Sequence, residues 1–164
     1  MSSIGISIFL WAFPIGLSFH VIEEFAFPGG FAQWIDRYNH RRLKSTGYYV
    51  VINGVAILGS IAIALLARSA VVYWLYLYSV ALMAGNAASH LRASLRQKKY
   101  CPGSVTGGLL LVPLLLLSSW QWIASALVAW PFAVLGIAMG LFVGFYVLAV
   151  DVRPFDSHPT SRSA

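Results

Sequence analysis

The sequence predicts an all-α fold, a polytopic integral membrane helical bundle with about five transmembrane helices. Three observations carry this. Of 164 residues, 59% are hydrophobic and only 10% are charged, whereas soluble domains carry about 25% charged residues. The apolar residues gather into stretches near the roughly 20 residues needed to cross a hydrocarbon core. The basic residues collect in alternate connections between those stretches.

The first span is expected over about 4–27. It contains Pro14 and ends at the breaker Pro28-Gly29-Gly30. Met1 to Ile4 has no Lys or Arg, so the segment reads as a retained helix rather than a cleaved signal peptide. Over 31–44, Phe31, Trp34, Ile35 and Tyr38 recur at helical spacing, opposite Arg37, His40, Arg41 and Lys44. That pattern predicts a short helix lying in the membrane interface. The second span, about 48–67, contains Asn53, and Arg68-Ser69 turns into the third, about 71–91, with Asn86 and His90.

Val105 to Val150 is 46 residues without a charge. As one helix it would run about 69 Å, over twice the hydrocarbon thickness. It therefore folds back, giving spans of about 105–124 and 127–150, with Trp120, Trp122 and Trp130 as an interfacial belt. Gly136, Gly140 and Gly144 form two overlapping small-xxx-small motifs. These favour close helix packing, either inside the protein or in a homo-oligomer. Residues 1–152 make one bundle, and 153–164, polar with two prolines, read as a disordered cytoplasmic tail.

Charge sets the expected orientation. Arg37, Arg41, Arg42 and Lys44 occupy one loop, Arg92, Arg96, Lys98 and Lys99 another, and Arg153 and Arg162 the tail. The positive-inside rule puts these in the cytoplasm, with the N-terminus outside. The net charge of +6 lies beside apolar spans. It points to anionic lipid headgroups and away from nucleic acid. The single cysteine, Cys101, excludes an internal disulfide.

Function enters through polar residues inside apolar segments. His20, Glu23 and Glu24 sit near the end of the first span, and the chain has only five acidic residues. A carboxylate in hydrocarbon costs about 3 kcal/mol on insertion scales, so such residues mark chemistry or ion binding. The alternating topology brings Asn53, Asn86, His90 and the start of the fourth span, Cys101 to Thr106, to the same depth. His20 shares a helix face with Glu23 and Glu24, as Asn86 does with His90.

His20-Val21-Ile22-Glu23-Glu24, followed by Asn86-x-x-x-His90 and Cys101-Pro102-Gly103, resembles the HXXEE family of small prokaryotic membrane proteins. The family is named for its His-x-x-Glu-Glu motif. The resemblance covers about Phe9 to Val150. It implies a multi-pass protein of the prokaryotic cytoplasmic membrane whose function is unknown and whose enzymatic activity is suspected. It supplies no reaction.

The residues support three chemistries. In the first, His20, Glu24 and His90 bind a divalent metal, zinc or non-haem iron. Glu23 then serves as base toward water, and Asn86 orients a ligand or polarises a carbonyl. The substrate is a lipid or amphiphile from the cytoplasmic leaflet, and hydrolysis is the reaction. In the second, no metal is present. Two adjacent carboxyls in low dielectric do not both ionise easily, so one donates a proton while the other accepts, as in a lipid isomerase or terpene cyclase. In the third, the same groups form a proton or cation path, or a lipid-binding site. The plain structural alternative pairs one glutamate with Arg92 or Arg96. Arg92 is also a candidate for a lipid phosphate, and Cys101 is either a soft ligand, a nucleophile or a packing residue. Thr106 and Asn53 are candidate hydrogen-bonding partners of the cluster.

Overall fold

A computed structural model describes residues 3–38 and 45–147. The polar tail, the last residues of the fifth predicted span, and His40, Arg41, Arg42 and Lys44 lie outside the described residues. The described chain is wholly helical apart from its connections. Helix α1 runs Ser3–Phe25, α2 Phe31–Tyr38, α3 Thr46–Leu66 and α4 Ala70–Gln97. Helix α5 spans Ser104–Ala124 and α6 spans Trp130–Tyr146. Helices α1, α3, α4 and α5 are each long and apolar enough to cross a membrane, and α6 is a shorter apolar helix. The chain is a multi-helix membrane protein.

Helix α4 is the central element, packed against α6, α5, α3 and α1. Its inner face, including Tyr76, Leu77, Val80 and Ala81, meets Phe13 and Leu17 of α1 and Leu111 and Trp122 of α5 in the main core. The outward faces carry exposed Ile8, Leu58 and Leu116, as a lipid-facing surface requires. Pro14 interrupts α1's backbone ladder. One turn away, the Phe9 carbonyl accepts the Tyr76 hydroxyl at 2.8 Å, tying α1 to α4 at that level.

Two expectations change, and the α6 glycines take the first of their two expected roles. Helix α4 continues six residues beyond 91, to Gln97, so Arg92 and Arg96 stand on the helix rather than in a loop. Long basic side chains at a helix end reach water without ending the helix. Helix α2 turns its apolar face to the protein: Phe31, Trp34 and Ile35 are buried with Ala93 and Cys101. Its amphipathic pattern is satisfied by the bundle's end. The glycines of α6 are spent within the chain. A Cβ on Gly140 would lie 2.3 Å from the Tyr78 carbonyl, and one on Gly144 would lie 1.9 Å from that of Leu82. Contact with α4 this close accepts no side chain.

Helix α5 starts irregularly. Gly103, at φ +91°, precedes it in the left-handed region that glycine tolerates best. Gly107–Leu111 then forms a π-helical turn before Val112 and Pro113. Pro113 has no N–H to give the preceding turn, and widening is one way a helix absorbs that loss.

Candidate functional site

The last two turns of α1, the far end of α4 and the irregular start of α5 meet at the end of the bundle that bears the basic segments. His20 is fully buried, Glu24 is 3% exposed and His90 1%. Glu24 Oε1 lies 3.4 Å from His20 Nε2 and 3.2 Å from His90 Nε2. The three ligand-type atoms all fall within 4.8 Å of one another.

The outer ring nitrogens fix the tautomers. His90 Nδ1 lies 2.7 Å from the Pro102 carbonyl. A carbonyl only accepts, so Nδ1 carries the proton and Nε2 keeps a lone pair. The Asn86 amide, 3.3 Å from that Nε2, fits as its donor. His20 Nδ1 lies 3.1 Å from Thr106 Oγ1. The Thr106 hydroxyl donates to Glu23, so its oxygen accepts from His20 Nδ1–H. Both imidazoles therefore aim an unprotonated Nε2 at one carboxylate oxygen. His20 Nε2 has no hydrogen-bond partner despite complete burial. An orphaned buried acceptor of this kind calls for a proton or a cation.

Glu23 does something else. Its Oε1 accepts from the Tyr100 hydroxyl at 2.5 Å and the Val105 N–H at 3.1 Å. Its Oε2 accepts from the Thr106 N–H at 2.7 Å and from the Thr106 hydroxyl. Four donors on two oxygens is the pattern an ionised carboxylate accepts. Because two of them are backbone N–H groups in the first turn of α5, Glu23 also sits where the helix dipole favours negative charge. It joins α1 to α5 and, through Thr106, orients His20.

Residues 11–118 match the family described as "Protein of unknown function with HXXEE motif". The chain belongs to the HXXEE-motif family. The matched region holds every residue of the cluster and ends before α6. No curated protein and no solved structure matches the chain.

The HXXEE motif thus splits into two devices. Its first and last residues, His20 and Glu24, face His90, while Glu23, about 100° round the helix from Glu24, faces α5. The three groups expected as metal ligands, His20, Glu24 and His90, come together. Geometry and chemistry suit a divalent ion. A tetrahedral site with bonds of about 2.0–2.1 Å has ligand atoms roughly 3.3–3.4 Å apart, close to the two nitrogen–oxygen distances here. Each histidine also has the outer hydrogen bond that metal-ligating imidazoles almost always make.

Among the remaining expected residues, Asn53 hydrogen-bonds Glu24 from α3, and Asn86 stands beside His90. Cys101 lies behind His90, with Sγ 3.6 Å from Nδ1, away from the three ligand atoms. It is fully buried beside Phe31 and Ala93. Burial, with the nearby Glu24 and Glu23 charges, pushes its thiol well above the ordinary value. It is a packing residue, not a thiolate. Arg92 stands over the Phe145 ring at 5.5 Å rather than beside a glutamate.

The sequence marks Phe31 only as part of an amphipathic stripe and Pro102-Gly103 only as part of a motif, and it does not single out Tyr100. Phe31 stacks on the His90 ring at 4.9 Å and covers it. Tyr100 holds Glu23, and burial followed by that hydrogen bond raises its phenol above the ordinary value. The Pro102 carbonyl is backbone and leaves no residue-type signal. Gly103 forms a wall: a Cβ there would lie 2.9 Å from His20 Cε1 and 3.0 Å from His90 Nδ1.

Proposed function

We propose that the HXXEE protein is a membrane-embedded, metal-dependent enzyme acting on a lipid or amphiphile, with hydrolysis as the reaction. One observation carries this: two imidazole lone pairs, held in place by their outer hydrogen bonds, face a single buried carboxylate oxygen. Without a cation that oxygen and the His20 lone pair repel one another unless Glu24 carries a proton, while the Asn86 amide serves the His90 lone pair. A divalent ion satisfies all three. It also balances the two carboxylates, Glu23 and Glu24, leaving no net buried charge.

Zinc is the best match for two imidazoles and one carboxylate with a further position open. When bound, it acts as a Lewis acid and lowers the pKa of water to about 7. The chain's own residues supply the rest. His20, Glu24 and His90 form the ligand set. Asn86 offers an amide N–H to a substrate carbonyl. Glu23 and Thr106 keep His20 in the tautomer that presents Nε2. Phe31 excludes water from His90, and the lipid-facing bundle admits amphiphiles more readily than ions. The basic connections favour a site on the cytoplasmic side of the prokaryotic cytoplasmic membrane.

The competing reading is metal-free. Glu24 then holds a proton between the imidazoles and acts as acid–base catalyst on a lipid alkene. Elemental analysis separates the two. Protein purified in detergent without chelator carries about one metal ion per chain on the first reading, and His20→Ala and His90→Ala abolish it. Metal-free wild type that still turns over an amphiphile establishes the second.

A further inference from the structure

Beside the buried set lies an open cleft of about 340 Å³, formed by the turn at Gly29-Gly30, one side of α2 and the connection from α4 to α5. Its size falls in the range of small-ligand pockets. Trp34, Arg37 and Tyr38 line it from α2, and Lys99, Tyr100 and Pro102 from the connection.

Its chemistry is that of a donor site. Lys99 Nζ lies 3.2 Å from the Tyr38 hydroxyl, and Arg37 hydrogen-bonds the same oxygen. Two cations from separate segments thus converge at one point of the rim. Trp34 is 8% exposed, and its indole N–H is buried with no acceptor. An indole nitrogen can only donate. Among the described side chains lining the cleft there is no carboxylate. Ammonium, guanidinium and indole N–H together match the oxygens of a phosphate, and arginine suits them bidentately.

The cleft is also wired to the cluster. Tyr100 donates to Glu23, and the Pro102 carbonyl holds His90 Nδ1. A headgroup resting there has one wall in common with the ligand set.

We infer that this cleft binds the phosphate of a phosphorylated ligand through Arg37, Lys99 and Trp34. This rests on the reading above that the buried set acts on an amphiphile, whose phosphate-bearing end the cleft would hold. The shared chemistry is the phosphate group, and its source is either a lipid headgroup or a free phosphate compound.

Calorimetric titration of the full chain in uncharged detergent tests the inference with three probes: dihexanoyl phosphatidate, dihexanoylglycerol and inorganic phosphate. Phosphatidate binds, and dihexanoylglycerol binds about tenfold more weakly or not at all. Arg37→Gln and Lys99→Gln each weaken phosphatidate about tenfold, and Trp34→Phe about threefold. Both basic residues are exposed, so these variants fold. Inorganic phosphate binding as tightly as phosphatidate identifies a free phosphate ligand, while much weaker binding identifies the lipid. Equal binding of dihexanoylglycerol and phosphatidate overturns the inference, as does a doubly substituted Arg37→Gln, Lys99→Gln protein that binds phosphatidate like wild type. A failed metal assay with wild-type phosphatidate binding intact refutes the enzyme reading alone.

Discussion

Two isosteric substitutions in adjacent residues should act with opposite sign. In Glu23→Gln, one carboxylate oxygen becomes an NH₂ donor. On the Oε1 side it meets the Val105 N–H and the Tyr100 hydroxyl, and on the Oε2 side the Thr106 N–H and hydroxyl. Hydroxyls can rotate to accept, but a backbone N–H cannot. Whichever way the amide turns, at least one N–H at the start of α5 is left without an acceptor. That costs about 1–3 kcal/mol, with the lost charge–dipole contact adding up to about 1 more. In Glu24→Gln, the new NH₂ faces two lone pairs, His20 Nε2 and His90 Nε2, at the positions now 3.4 and 3.2 Å from Oε1. Two donors meet two acceptors. The metal-free variant is then as stable as wild type or more so, while metal binding falls sharply. The assay is thermal unfolding in detergent, with and without chelator, beside elemental analysis. Chelator should lower the wild-type midpoint, since a bound ion at 100 times Kd stabilises by about 2.7 kcal/mol. It should leave Glu24→Gln unmoved. A Glu24→Gln protein that keeps stoichiometric metal, or that in the presence of chelator loses as much stability relative to wild type as Glu23→Gln does, refutes the division of roles.

Thr106→Val leaves the fully buried His20 Nδ1–H without its acceptor. Loss of such an outer partner should weaken metal affinity about 10–100-fold by chelator competition, with Thr106→Ser restoring it. Gly140→Val puts a side chain where a Cβ already lies 2.3 Å from the Tyr78 carbonyl. It should lower the unfolding midpoint by the equivalent of 3 kcal/mol or more, roughly the scale of severe overpacking, with size-exclusion elution of the surviving folded protein unchanged. Cys101 should resist thiol-reactive probes at pH 8, because burial raises its thiol above that pH and removes access. Denaturant should expose it to stoichiometric labelling, and fast labelling of the native protein would contradict its placement.

Hydropathy carried the helices because lipid imposes a length and forbids unpaired backbone. Helices α1, α3 and α5 start and stop near the expected positions, and α4 starts where expected but runs on to Gln97. Meeting of His20, Glu24 and His90 was also legible, since an even alternation of spans leaves those groups at one depth and polar side chains turn away from lipid. What covers a surface was not legible. The stripe Phe31, Trp34, Ile35 has the same periodicity whether it lies on lipid or on protein, and only the position of α4 and Cys101 decides. Likewise, Gly136, Gly140 and Gly144 announce a close approach without naming the partner. Gly85 on α4 meets the same seam from the other side, with a Cβ there falling 2.7 Å from the Leu141 carbonyl.

The split of the acidic pair was readable in principle. Neighbouring residues on a helix point about 100° apart, so two adjacent glutamates set out toward different neighbours. One of them must have another partner, and the irregular start of α5 is that partner. Its free N–H groups need an acceptor, and Glu23 needs donors. The exchange fixes Gly103 and Thr106 against His20, while the Pro102 carbonyl holds His90. A buried carboxylate expensive in hydrocarbon thereby becomes the tie that, through Thr106, orients His20. The cost of keeping acidic residues here is offset by the donors around Glu23, and on the proposed reading Glu24 is the one left to serve the metal.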